Sequence, residues 1–462
     1  MDYKTAKTIF EKHHQGHVLR FWKQLDAAQQ ARLMGQLESL DFGTVERIRA
    51  ILSDAVPPAH SSAGPLTPAP VLALQAGETA NPRRLGEEAI EKGQVGVILV
   101  AGGQGTRLGY DGPKGTYALA PLSNASLFEI HSRKILALER RHGASIPFYV
   151  MTSQANDDAT RAFFERHAFF GLAPERVKFF TQGMLPAFWP DGRLVLEGPD
   201  RLFLAPDGHG GVLSALEREG LLADMKTRGV TTLFYFQVDN PLVDIADPVF
   251  IGLHVGRGSE MSVKVCAKRD PAEGLGVVVV RQGRHAVVEY TELTEQQKTA
   301  RQPDGELLFK YGSVAIHIFS RTFLEREIAA GLPLHQAHKK VPFCDEGGTP
   351  RKPEAANAFK FEKFIFDALP DAARPLILEF AREDEFAPVK NAEGNDSPAT
   401  ARLAMIEKAA RWMKACGVKM PRDTQGRPVH RLEIDPVFAN SAEELKQRLP
   451  PGFEIRGDTL LK

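Results

Sequence analysis

Cysteine is scarce in this chain. Cys266, Cys344 and Cys416 are the three among 462 residues, and they are scattered, with no C-x-x-C pair. An odd, dispersed set gives no disulfide framework; buried free thiols in a reducing compartment are expected. Long hydrophobic runs are lacking too. The most apolar stretches, at 95–101 and 277–280, are far too short to span a bilayer. The N-terminal MDYKTAKTIFEKHHQGH has neither an apolar core nor a small-residue cleavage site, so a cytoplasmic protein is expected. No charge of one sign dominates, with 58 Lys+Arg against 58 Asp+Glu. That balance argues against a nucleic-acid or membrane-binding surface and leaves room for a local basic pocket. Repeats and long low-complexity tracts are absent as well.

What is present is ordinary globular composition, 43% apolar and 25% charged, over a length that suggests two or three domains. From 5 to 54 the apolar spacing is helical, through Val18, Phe21, Trp22, Leu25, Leu33, Leu37 and Leu40. Residues 56–82 are rich in Pro, Ala, Ser and Gly and read as an irregular connector, so an N-terminal helical domain with its connector is expected over 1–85. Beyond it, strands at 95–101, 146–153, 176–182 and 231–239 alternate with helices at 127–140, 157–167 and 210–219. Such alternation predicts a mostly parallel sheet covered on both faces, with ligands at the carboxyl ends of its strands. A more antiparallel layer follows at 261–268, 275–282, 285–293 and 313–320. The expected domains are 86–370 for this body and 371–462 for a small C-terminal lobe containing a helix at 399–415.

The chemistry concentrates in VGVILVAGGQGTRLGYDGPKG at 95–115. A buried strand runs into a glycine-rich loop carrying Arg107 and Lys114, which suits a nucleoside triphosphate: glycines admit phosphate oxygens to backbone N–H groups and the cations neutralise charge. A dinucleotide fold would need an acidic residue about 20 positions on, and none ends the next strand. The phosphate loop G-x-x-x-x-G-K-[ST] is also missing. Asp239-Asn240, at the end of the strand 231–239, falls at the same predicted crevice. An aspartate there suits a phosphate-bound Mg²⁺.

LVAGGQGTRLGYDGPKG resembles the nucleotide loop of the UDP-sugar pyrophosphorylases, G-G-x-G-T-R-x-G followed by P-K. Segments 162–188, 204–216, 236–252, 287–293, 359–369 and 386–402, with HVLRFWKQL near the start and LEIDPVFA near the end, are similar in order to the eukaryotic-type UDP-N-acetylglucosamine pyrophosphorylases. The resemblance covers nearly the whole chain. It implies an α/β fold with a Rossmann-like mixed sheet of the nucleotide-diphospho-sugar transferase type, helices on both faces, and N-terminal helical and small C-terminal lobes. It also implies UTP and a sugar 1-phosphate as partners and Mg²⁺ as cofactor.

By the same resemblance, Ala101, Gly102 and Gly103 border the uridine and phosphates, and Gln182 and Gly208 read the uracil edge. Arg107, Lys114 and Lys390 are the catalytic cations and Asp239 the metal ligand. His209, Gly276, Glu289, Tyr290, Ser313, Phe364 and Phe366 fall on the sugar side. Two positions depart from the N-acetylhexosamine pattern. His209 stands where those enzymes carry Asn, giving P-D-G-H-G, similar to the P-P-G-H-G of UDP-glucose pyrophosphorylases; Ser313 replaces a sugar-holding Asn. An amide pairing with an acetamido group is not lightly dispensed with. The expected reaction is in-line attack of a sugar 1-phosphate, N-acetylglucosamine 1-phosphate first, on the α-phosphate of UTP with release of pyrophosphate. Glucose 1-phosphate, a broad sugar range, or a catalytically silent nucleotide-sugar binder are the alternatives.

Overall fold

The computed structural model describes residues 1–54, 64–75 and 77–462. It divides into two compact units, each assembled from three separate stretches of chain.

One unit comprises 1–64, 182–212 and 331–367. Its helices are α1 (Tyr3–Lys12), α2 (Ala27–Glu38) and α3 (Phe42–Leu52). Asp26 starts α2 with a reciprocal capping box to Gln29, and Asp41 caps α3 through the N–H groups of Gly43 and Thr44. Phe10, Leu33, Leu37 and Ile48 share one core with Phe188, Leu196 and Phe361 from the later stretches. Gln15 fastens the helices to one of those stretches, donating to the Gly192 carbonyl at 2.9 Å and accepting from Leu194 N–H at 2.8 Å. The N-terminal helices therefore do not stand as the expected 1–85 domain: their apolar faces are covered by residues that sequence places far downstream.

The other unit comprises 65–181, 213–330 and 368–462. It holds a ten-stranded mixed sheet. The strands are β1 (Leu66–Pro68), β2 (Val95–Val100), β3 (Phe148–Thr152), β4 (Val177–Thr181), β5 (Thr232–Gln237), β6 (Met261–Ala267), β7 (Val277–Arg281), β8 (Arg284–Val288), β9 (Tyr311–Ser320) and β10 (Leu376–Glu379). The main path runs β1-β7-β9-β5-β2-β3-β4, with β8 on β7 and β6 joining β9 to β10. Strands β5, β2, β3 and β4 are parallel, as the strand–helix alternation predicts. β9 runs antiparallel to β5, beginning the second layer. Part of the connector at 56–82 lies outside the described residues, but its later part is not irregular. Leu66–Pro68 pairs with β7, and Leu72 exchanges backbone hydrogen bonds with Ile377 and Glu379.

Helices α4 (Ala80–Glu91), α5 (Leu127–His142), α6 (Asp157–Arg166), α7 (Pro248–Arg257) and α8 (Pro398–Ala415) accompany this sheet. Helix α4 starts ahead of the expected boundary at 85. The segment 371–462 has a small apolar cluster of its own around Met413, Leu432 and Leu445, yet it belongs to the sheet-bearing unit.

Helices α4 and α7 meet through glycine. A Cβ on Gly86 would lie 1.8 Å from the Pro248 carbonyl oxygen, and one on Gly252 would lie 1.7 Å from that of Pro82. Gly86→Ala and Gly252→Ala should each lower unfolding stability by about 2 kcal/mol or more in urea titrations, because backbone must move to admit the methyl.

Two buried histidines make this unit acid-sensitive. His131 donates to, or is oriented by, the Val238 carbonyl at 3.0 Å, and His254 contacts the Ser262 hydroxyl at 2.7 Å. Burial pushes His131 down to about 3 and His254 to about 4, from an ordinary 6.5. Depressed values mean that the unfolded chain takes up the protons first, so stability falls as pH drops from 6.5 towards 4. The expected slope is roughly 1.4 kcal/mol per histidine per pH unit. Urea midpoints of His254→Gln should show that slope reduced by one proton.

Candidate active site

Strand β2 leads to β3 on one side, while the chain returns later to place β5 on its other side. This reversal of direction between β2 and β5 is where open α/β sheets bind ligands, just beyond the carboxyl ends of the strands. The loop after β2 and the turn after β5 meet there.

The loop is built by backbone. Gly105 N–H donates to the Gly112 carbonyl at 2.9 Å, and Lys114 N–H to that of Gly103 at 3.0 Å. Gly109 has φ +67°, a left-handed turn that a side chain would strain. Gly115 packs against Phe128, whose ring tip would be 2.2 Å from an added Cβ. Asn156 holds the loop's root from the side. Its amide donates to the Ala101 carbonyl at 3.0 Å, and its oxygen accepts from Ser153 N–H at 2.8 Å. Ala101 is buried, Gly102 half-buried and Gly103 exposed, with open space where its side chain would be. The exposed backbone at Gly103 is thus free to border a ligand.

The charged groups stand at this rim. Lys114 Nζ lies 3.9 Å from Asp239 Oδ2, both side chains less than one-fifth exposed. Arg107 is exposed and makes no hydrogen bond or ion pair among the described residues. Lys390 reaches over the Phe386 ring, 5.8 Å from its centre. The segment carrying it is tied to the Asp239 turn: Val389 N–H donates to the Asp239 carbonyl at 2.9 Å, and Asn240 donates to the Glu385 carbonyl at 2.6 Å while accepting from Ala387 N–H at 3.1 Å. Cations with so little internal pairing suit a polyanionic ligand.

Gly276, Glu289 and Ser313 also come together at the carboxyl edge. Ser313 N–H donates to the Gly276 carbonyl at 2.8 Å, and Glu289 Oε1 would be 3.4 Å from a Cβ on Gly276. Ser313 lies two residues into β9 and pairs with Val265 of β6. Tyr290 is 41% exposed and lies against Gly274.

Gln182, Gly208, His209, Phe364 and Phe366 belong to the helical unit and gather there around one turn. Gln182 donates its amide to the Gly208 carbonyl at 2.7 Å, so its own carbonyl remains the acceptor on offer. Gly208 has φ +83°, and a Cβ there would lie 2.4 Å from the Lys363 carbonyl oxygen. His209 Nδ1 accepts from Ile365 N–H at 3.2 Å, which leaves Nε2 as the protonated nitrogen. Its ring stacks on Phe364, 5.3 Å between centres and 20° apart, and tilts against Phe366 at 5.5 Å. Burial and the neighbouring His335 push it down to about 4, so it is neutral near pH 7. Phe364 is braced on its other side by His335, centres 4.2 Å apart, and His335 is paired with Asp367 at 2.7 Å.

Several supporting residues were not singled out by sequence reasoning. Asn156 gives no local signal beyond lying one position before a helix. Behind the Asp239 turn, Lys264 is fully buried between Asp247, at 2.8 Å, and Glu385. Lys134 donates to the Pro241 and Val243 carbonyls at 2.6 and 2.7 Å. Asp244 and Asp247 were visible in DNPLVDIADP; their lysine partners lie too far along the chain for any local pattern. Among the described residues, no group of three or more His, Cys, Asp or Glu side chains forms a metal cage. No helix among them is long and apolar enough to cross a membrane.

The profile of the UTP–glucose-1-phosphate uridylyltransferase family matches residues 70–454. A human protein named UDP-N-acetylhexosamine pyrophosphorylase-like protein 1 is 39% identical, over 97% of this chain and 94% of its own. The UDP-N-acetylglucosamine pyrophosphorylase of Saccharomyces cerevisiae is 35% identical over 99% of both chains. Among solved structures, the uridine diphosphate N-acetylglucosamine pyrophosphorylase of Trypanosoma brucei, in complex with an inhibitor, superposes with a TM-score of 0.81. It is 28% identical, over 99% of this chain and 98% of that one. The chain belongs to the UTP–glucose-1-phosphate uridylyltransferase family.

Proposed function

We propose that this chain transfers the uridylyl group of UTP to N-acetylglucosamine 1-phosphate, releasing pyrophosphate. The observation that carries the reading is the meeting of the glycine loop and the Asp239 turn at the strand reversal, with Arg107, Lys114 and Lys390 left to an external anion. A phosphate oxygen of the sugar 1-phosphate attacks the α-phosphorus, the bond to the β-phosphate oxygen breaks, and the electron pair leaves with pyrophosphate. Such transfers need positioning and charge neutralisation more than a covalent nucleophile. Arg107 and Lys114 neutralise charge on the triphosphate, and Lys390 adds a third cation from its own segment. The exposed backbone at Gly103 borders the phosphates. Gln182 and Gly208 are the uracil readers, through the free amide oxygen of one and the bare backbone of the other.

Mg²⁺ fits the donor set. Asp239, a partly buried carboxylate at the rim beside Lys114, suits a metal held by one carboxylate plus substrate phosphates. When bound, the ion supplies further neutralisation of phosphate charge. In its absence Lys114 is the counter-charge nearest Asp239.

On the sugar side Glu289 accepts from ring hydroxyls, beside Ser313 and Gly276. A second reading, glucose 1-phosphate, is favoured by Ser313 and by His209, which offers an N–H donor from a neutral ring instead of an asparagine amide. Relatives named for N-acetylglucosamine or N-acetylhexosamine place the first reading ahead.

Pyrophosphate release with UTP and Mg²⁺ should be fastest with N-acetylglucosamine 1-phosphate in a panel that includes N-acetylgalactosamine, glucose and galactose 1-phosphates. Glucose 1-phosphate alone turning over would reverse the two readings, and no release with any sugar would remove the activity. Lys114→Ala should lower kcat by about a hundredfold or more with an unchanged melting temperature, since its side chain contacts the rim and not the core.

A further inference from the structure

Behind the turn at 241–244 lies a cavity of about 350 Å³, within the roughly 300–1,000 Å³ range of small-molecule pockets. None of the nucleotide or sugar residues above lines it. Its walls come from α5, α8, the strand Leu432–Ile434 and the turn itself. The apolar lining includes Ile130, Met405, Ala409 and Trp412.

The polar lining is unevenly satisfied. Arg133 is paired with Asp435, and Glu433 accepts from Leu122 N–H, Ser123 N–H and the Ser123 hydroxyl. Glu129 and Lys462 contribute one charge of each sign. Two buried ammonium groups remain. Lys134 gives two hydrogen bonds to carbonyls and has a third N–H to spare. Lys408 gives one, to the Leu242 carbonyl at 3.1 Å, and lies 5.5 Å over the Trp412 ring. Lys264 engages Asp247 and Glu385 directly, while Asp244 and Glu385 both attract Lys134 and Lys408 without a direct ion pair to either. Burial depresses both lysines, Lys134 to about 7, and raises Asp244. Unused donor capacity beside an indole and aliphatic wall is complementary to an anion with an apolar body.

We propose that this cavity is a second ligand site, taking an amphipathic anion with its apolar body against Trp412 and Met405 and its acidic head on Lys134 and Lys408. These two lysines hold the carbonyls of Pro241, Leu242 and Val243 in succession, and the same turn begins at Asp239 and Asn240. An anion on their remaining N–H groups pulls on the same two ammonium groups that fix that turn, and so acts on the Asp239 carboxylate and the Lys390 segment bound to it. This effector role rests on the proposed uridylyl transfer; occupation of the cavity does not.

The test uses the full chain and 8-bromooctanoate, whose bromine quenches nearby indole fluorescence. Saturable quenching is expected, absent in Trp412→Phe and reaching the same amplitude at saturation in excess UTP, with only its half-saturating concentration shifted. Lys408→Met should weaken it by at least about tenfold, as should replacing the carboxylate with the hydroxyl of 8-bromooctanol. Ala409→Leu, which fills the cavity and keeps both lysines, should abolish binding; circular dichroism melting verifies that each variant is folded. Quenching that persists in Trp412→Phe, that does not discriminate acid from alcohol, or that UTP abolishes even at saturating 8-bromooctanoate overturns the site. Saturating 8-bromooctanoate should shift KM for UTP by at least about fivefold. Bound ligand with unchanged kinetics overturns the effector role, whereas bound ligand with no turnover on any sugar phosphate overturns the activity and leaves the site standing.

Discussion

A single buried ammonium organises the reactive edge of the sheet. Lys264 projects from β6 with 1% of its side chain exposed and is held by Asp247, the N-cap of α7, and by Glu385. Removing one partner from such a group leaves an uncompensated charge, typically costing about 3–5 kcal/mol. The geometry is therefore fixed in both directions. Asp247 terminates the turn that starts at Asp239, and Glu385 starts the segment that ends at Lys390. One cation thus sets where the Asp239 carboxylate and Lys390 come to lie, although it touches neither. Attraction from Asp247 and Glu385 outweighs the desolvation that would otherwise lower Lys264, so the centre stays charged.

The glycine loop uses the opposite device. Its shape is set by backbone hydrogen bonds and by positions where a Cβ has no room, with Asn156 clamping its root. This leaves the side chains of Arg107 and Lys114 free of structural duty. A cation that also held the fold would be held back from substrate by its partners; among the described residues the one ion pair these two make is Lys114 with Asp239 at 3.9 Å, longer than a well-formed hydrogen bond. Separating scaffold from charge lets the site bind a polyanion without first breaking internal pairs.

What could be read from sequence follows from range. The loop at 95–115, the parallel strands and Asp239 at a strand end are local signals, because glycine spacing and strand periodicity act over a few residues. The division into units was not legible. Segments 182–212 and 331–367 return to cover α1 to α3, and nothing in their composition announces which apolar face they serve. The same limit hid Lys264, Lys134 and Lys408, whose partners lie up to 166 positions away, where Lys408 meets Leu242. A buried lysine looks like a surface lysine until its carboxylates are found. The connector failed for a related reason: Leu66–Pro68 becomes a strand because β7 offers it an unpaired edge, not because its own residues favour one.

The sugar side shows how a substitution in a motif should be weighed. Ser313 is short, but it stands at the opening of β9, with its N–H already spent on Gly276, so only its hydroxyl remains for a ligand. His209 is longer than the asparagine it replaces, yet Nδ1 is committed to Ile365 N–H and stacking fixes the ring plane. Ser313 therefore offers one hydroxyl, which can donate or accept, and His209 offers one N–H donor, where an amide offers a donor and an acceptor on two separate atoms. A hydroxyl can meet either the N–H or the carbonyl of an amide, whereas an imidazole N–H can meet only the carbonyl. Taken one at a time, the two altered positions thus differ in kind: Ser313 keeps both hydrogen-bonding senses in one atom, and His209 keeps only the donor.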